Sequence, residues 1–263
     1  MRSPALWKIA QKLARENMQL KAGERVCVVS DLEKLGLAEV FLDAAAAFDT
    51  DPVLVLMTPR DQHGQEVPEV VAAAMEGADV VFQVVTHAMT HTDATKRALA
   101  AGARILVLRG VTEDMMLHGA INADYQQIAV RCARLSEKMN GASLAHVRTA
   151  LGTDLAMSLE GRQSLVLDGI IKGPGRFIAM PDGETAIVPL EGSAQGILVV
   201  EHTMDGVGPG SFGRVVAGER DRIVKPALGS VVAAAEELHV PQFAVCLGGE
   251  RVVVDAARSL DRL

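Results

Sequence analysis

Between residues 25 and 108, short apolar runs alternate with longer segments whose apolar positions recur every three to four residues. The runs at 25–30, 52–57, 79–85 and 104–108 are rich in Val, Ile and Leu and read as strands, whereas 35–48, 67–75 and 93–101 carry a helical period. Strands alternating with helices imply βαβ units and a parallel sheet. The near-continuous run at 80–85 fits a strand buried on both faces. Before these units, residues 1–20 place Lys8, Lys12, Arg15 and Glu16 at helical spacing among apolar residues, the pattern of an amphipathic helix. Gly23 marks a turn into the first strand, and Asp31 is placed to cap the helix after it. A longer helix is predicted over 123–139, with Asn140-Gly141 as its stop signal.

Past residue 141 the rhythm changes. Segments at 145–149, 155–159, 164–167, 177–180, 186–189 and 196–200 are separated by Gly, Pro and Asp, which reads as hairpins and antiparallel strands. A helix at 230–238 and strands at 243–247 and 251–254 return to mixed character. The expected architecture is α/β: an N-terminal parallel sheet with helices on both faces (1–140), followed by a smaller mixed or antiparallel α+β domain (141–263).

Composition narrows the function. A chain of 263 residues with 49% hydrophobic and 22% charged residues is globular. A net charge of −7 and an aromatic content of 3% argue against nucleic acid, which needs a basic footprint or stacking platforms. No apolar run is long enough to span a bilayer, and residues 1–20 lack a signal peptide's apolar core and cleavage site. Cys27, Cys132 and Cys246 are far apart and odd in number, so no disulfide framework or zinc ribbon is readable, and a reducing cytoplasm is expected. An exposed edge of the second-domain sheet would allow a homodimer.

Several clusters can be weighed for chemistry. Gly208-Pro209-Gly210-Ser211-Phe212-Gly213 has the spacing of a dinucleotide loop, but the segment after it is short and ends at Gly218, so a flexible turn is the better reading. Glu201 and His202 are adjacent on an extended chain and point to opposite faces, so they do not readily share a metal. His146, His239, Glu250 and Asp255 carry no signal singly. His87 and His91 lie after a parallel strand, where ligand crevices form in open sheets; His91 is either substrate-facing or a surface residue beside the capping Thr92 or Asp93. In 177–200, Glu184 leaves the Pro181-Asp182-Gly183 turn and enters an apolar strand, facing the turn Glu191-Gly192-Ser193-Ala194.

Together with Lys21-Ala22-Gly23-Glu24 and Gly152-Thr153-Asp154-Leu155, these motifs resemble the aminopeptidase T (leucyl aminopeptidase) metallopeptidases and the related 2,5-dihydroxypyridine 5,6-dioxygenases, from the N-terminal helix to about residue 200. In the peptidases the glutamate of the Pro-x-Gly-Glu strand is a ligand of a two-metal site, which implies a metal role for Glu184; such metals polarise a carbonyl and generate hydroxide. In the dioxygenases a His-Thr pair opening a helix faces the substrate, which implies that role for His91, beside one ferrous iron held by two histidines and a carboxylate. The family's C-terminal ligands, a histidine after Leu-Gly-Thr and a final His-x-Asp, are not matched after Asp205. Leu228-Gly229-Ser230 is followed by valines, and Asp255 has Val253 two positions before it. The metal-site part is therefore expected to be incomplete or divergent after about residue 205.

The resemblance implies a metal-dependent aminopeptidase-like hydrolase acting on a short peptide or small molecule with Zn²⁺, Co²⁺ or Fe²⁺. A ring-cleaving iron dioxygenase is the second reading, and a catalytically dead binding or structural homologue the third.

Overall fold

The computed structural model describes residues 3–150, 152–200, 213–217 and 223–224. Glu201, His202, Asp205, the glycine loop before Gly213, Leu228-Gly229-Ser230, His239, Cys246, Glu250, Asp255 and the elements expected at 230–238, 243–247 and 251–254 lie outside the described residues. The chain divides into two compact units, Met1–Arg131 with Leu167–Gly183, and Cys132–Val166 with Glu184–Leu263.

The first unit is built on β1 (Val26–Asp31), β2 (Val53–Met57), β3 (Val80–Val85), β4 (Arg104–Arg109) and β8 (Phe177–Ala179), in the order β2-β1-β3-β4-β8. Every pairing is parallel, with Val28 beside Leu54 and Phe82, and Ile105 beside Val81 and Phe177. Alternate residues of each strand face opposite ways, so the sheet has two cores. Val28, Phe82, Val84, Leu106 and Leu108 pack with α1 (Pro4–Lys12) and α2 (Leu35–Ala46). Val29, Val81, Val85, Ile105 and Val107 pack with α3 (Glu69–Glu76) and α4 (Asp93–Ala100). Helices on both faces explain why β1 and β3 are buried at every position. The expected α/β fold is found.

Three features differ from the sequence reading of this unit. Residues 177–180, expected in an antiparallel hairpin, supply β8, which lies parallel to β4. A three-residue strand shows a burial pattern but not its distant partner. Asp31 closes β1 rather than capping α2, whose N-cap is Lys34, with no side-chain capping bond. The amphipathic N-terminal segment is α1 followed by a π-helical turn, Leu13–Asn17, and a short α5 (Glu113–Leu117) follows β4.

In the second unit, β5 (Leu144–Arg148), β6 (Asp154–Ser158), β10 (Gln195–Val200), β11 (Gly213–Ala217) and β12 (Ile223–Val224) form an antiparallel sheet in the order β12-β11-β10-β6-β5. A β-carbon on Gly196 would sit 2.0 Å from the Asp154 carbonyl oxygen across the β10–β6 pair, so only glycine allows that approach. The strand at Gly213–Ala217 removes the helix that a dinucleotide loop requires at that point. β7 (Leu165–Leu167) and β9 (Glu184–Ala186) pair as a two-stranded ribbon. The helix expected at 123–139 is α6 (Tyr125–Asn140). Among the described residues no helix is long and apolar enough to cross a membrane.

Candidate functional site

The order β2-β1-β3-β4-β8 reverses direction between β1 and β3, and in open parallel sheets the crevice for a ligand opens beyond the carboxyl ends of such a pair. Asp31 ends β1 there and is 1% exposed. Its carboxylate accepts from the Thr86 amide at 2.6 Å and the Thr86 hydroxyl at 2.9 Å, one residue past β3, and from the Glu33 amide at 3.1 Å. Lys34 donates to the Val111 carbonyl at 3.0 Å, and the Gly110 amide to Val85 at 2.8 Å, so the ends of β1, β3 and β4 are tied together.

From this anchor the chain runs through Thr86–Thr92 into α4. Thr92 is buried and caps α4, its hydroxyl oxygen accepting from the Thr95 amide at 3.2 Å. The segment between β2 and α3 straps the turn from outside. The Gly64 amide donates to the Ala88 carbonyl at 2.8 Å, and the Ala88 amide donates to His63 Nδ1 at 2.9 Å. That contact makes Nδ1 the unprotonated nitrogen of the His63 ring. The His63 and His87 rings meet edge to face with centroids 5.0 Å apart. The Glu66 carboxylate accepts from the Asp93 amide at 2.6 Å and the Ala94 amide at 3.4 Å, so the first turn of α4 already has its anion.

His91 is exposed in the middle of this pinned turn. His87 and His91, four apart, lie on the β3–α4 connection rather than on one helix face. The arrangement offers an exposed imidazole on a rigid turn, suited to hydrogen bonding or proton exchange with a ligand.

Glu184 opens β9 in the second unit and is half-buried, and Thr185 beside it donates to the Cys132 carbonyl at 3.3 Å. His91 and Glu184 thus belong to different units. Among the described residues no three His, Cys, Asp or Glu side chains gather as metal ligands. A divalent site takes three or more protein donors, so the described donor set does not fit a metal at either residue.

Sequence reasoning passed over one pair. His146 on β5 and Asp154 on β6 meet at 2.5 Å, with Arg148 3.6 Å from the same carboxylate. The hydrogen bond to His146, with the nearby Arg148 charge, holds the Asp154 carboxyl below its usual range. The pair is legible only once the strand register is known, because His146 stands opposite Ala156 and Arg148 opposite Asp154.

These features define a doubly wound α/β unit whose strand order switches between β1 and β3, joined in sequence to an antiparallel unit. The chain belongs to the 2,5-dihydroxypyridine 5,6-dioxygenase (NicX) family, whose model matches residues 7–207. In fold it is similar to 2,5-dihydroxypyridine dioxygenase from Pseudomonas putida KT2440, with a TM-score of 0.56 and 22% identity over 74% of this chain and 58% of that one. It is also similar to AmpT from Thermus thermophilus, with a TM-score of 0.53 and 15% identity over 75% of this chain and 64% of that one. The chain therefore spans less than two thirds of either protein. No curated protein matches it.

Proposed function

We propose that the chain binds a small hydroxylated aromatic ring of the dihydroxypyridine class at the carboxyl edge of its parallel sheet, with His91 facing the ring. The observation that carries this reading is the placement of His91, exposed on a turn held by Thr92 from within and by His63 and Glu66 from outside. The family match includes that turn. A histidine so held can accept a hydrogen bond or a proton from a ring hydroxyl without the turn reorganising. Ring cleavage in this family's manner needs a divalent metal, and the described residues do not make its ligand set, so their part is to bind and orient the ring.

A metallo-aminopeptidase is the second reading. It is favoured by Glu184, which opens β9 directly after the Pro181-Asp182-Gly183 turn, as the resemblance to the peptidases requires. Paired assays on the full chain separate the readings. Oxygen uptake with 2,5-dihydroxypyridine and Fe²⁺, lost in His91→Ala, supports the first. Release of p-nitroaniline from leucine-p-nitroanilide with Co²⁺, lost in Glu184→Ala, supports the second. Silence in both, with no binding of Zn²⁺, Co²⁺ or Fe²⁺, leaves a homologue that binds without catalysis.

A further inference from the structure

β3 contains one residue at odds with its surroundings. Gln83 is 0% exposed and shares a sheet face with Val81 and Val85, against a core cluster of aliphatic, methionine, alanine and cysteine side chains. Its amide nitrogen donates to the Thr95 hydroxyl at 3.0 Å and approaches the Met75 sulfur at 3.7 Å, while its amide oxygen has no partner. A buried amide left half satisfied costs free energy that an apolar residue of the same size would not.

The geometry points to Gln83 as the positioning residue for the turn that carries His91, and this rests on the ring-binding reading above only as far as His91's role is concerned. Proton counting gives the reason. The Thr95 hydroxyl has one hydrogen and lies 2.7 Å from the Met89 carbonyl. Because Gln83 donates to the Thr95 oxygen, the hydroxyl hydrogen is directed away from the core, to the Met89 carbonyl at 2.7 Å, with the Thr92 hydroxyl farther off at 3.1 Å. With the amide turned over, Thr95 would have to point its hydrogen at Gln83 and release Met89. Met89 is also reached by the Thr92 hydroxyl at 2.7 Å and the Thr92 amide at 3.2 Å. Its carbonyl is thus fixed from the core by Thr95 and from within the turn by Thr92. His91 sits between Met89, held in this way, and Thr92, held as the cap of α4. Gln83 is wholly buried and acts through Thr95 on the backbone.

The test uses the full chain with Gln83→Met, Thr95→Val and Thr95→Ser. In Gln83→Met and Thr95→Val, the Thr92 and Thr95 amides exchange with solvent about tenfold faster or more. The Ala103 amide, which donates to Ala98 outside the turn, exchanges as in wild type. Thr95→Ser keeps the hydroxyl and restores wild-type exchange. Unchanged exchange in Gln83→Met overturns the positioning role. Should that variant fail to fold, equal exchange in Thr95→Val and Thr95→Ser overturns it instead. Anaerobic affinity for 2,5-dihydroxypyridine, measured on the same proteins, separates the two claims. Faster exchange with affinity lowered in both Gln83→Met and His91→Ala supports both. Faster exchange with affinity indifferent to His91→Ala keeps Gln83 as organiser of the turn and overturns the ring-binding reading alone.

Discussion

Replacing Asp31 removes the acceptor that ties the end of β1 to the residue after β3. Three donors meet its carboxylate, from the Thr86 amide and hydroxyl and the Glu33 amide. A hydrogen bond to a charged group contributes about 1.5–3 kcal/mol. The three do not add. The Thr86 hydroxyl can turn to the Glu33 carboxylate 3.3 Å away, and the Glu33 amide is only part-buried, so water can serve it. The Thr86 amide is the main loss, and Asp31→Leu is expected to cost about 3 kcal/mol. Asp31→Asn keeps one oxygen and leaves one donor facing a donor, for about 1.5 kcal/mol. At about 3 °C per kcal/mol the melting temperature falls by roughly 9 °C and 4 °C respectively. Urea titration with an unchanged m-value measures both, and amide exchange at Thr86 localises the effect. The reasoning is refuted if Asp31→Leu costs less than about 1 kcal/mol, or if Asn is as costly as Leu.

Other consequences are separable from that one. Burial pushes the Cys27 thiol up to about 11, so it resists thiol reagents at pH 8 until the protein unfolds. An unfolded thiol ionises first, so stability declines as pH rises from about 9 to about 11, and Cys27→Ala flattens that limb. Hydrogen bonds from Arg25 hold the Asp79 carboxyl down at about 2, against an ordinary value of 3.8. Its contribution is present above the ordinary value and is lost as pH falls from about 4 towards 2; an acid titration of Asp79→Asn lacks that loss. In Gly169→Ala the new β-carbon would lie 2.5 Å from the buried Tyr125 ring at a φ of +74°, whereas Gly23 has a φ of +75° and open space. Gly23→Ala then costs about 1 kcal/mol of backbone strain and Gly169→Ala about 3 kcal/mol, measured by denaturant titration.

The parallel unit was legible because its strands are buried on both faces and its helices are amphipathic, so β1 to β4 and α2 to α4 stand where the period changes. β8 escaped because its position depends on pairing with a strand about seventy residues earlier, which Phe177-Ile178-Ala179 does not encode locally. His91 and Thr92 could be picked out because the residue before a helix cap has a recognisable neighbourhood. The strap could not. His63, Gly64 and Glu66 are ordinary loop residues until the fold brings them to Ala88, Asp93 and Ala94. Gln83 carried a faint signal, a lone amide in an apolar strand, whose meaning needed its hydroxyl partner on α4.

The most direct measurement is an anaerobic calorimetric titration of the metal-free full chain with 2,5-dihydroxypyridine, run on wild type and His91→Ala. Saturable one-to-one binding, weakened about tenfold or more in the variant, is the predicted result. Absence of saturable binding, or equal affinity in the two proteins, would contradict a ring site at the carboxyl edge of the parallel sheet.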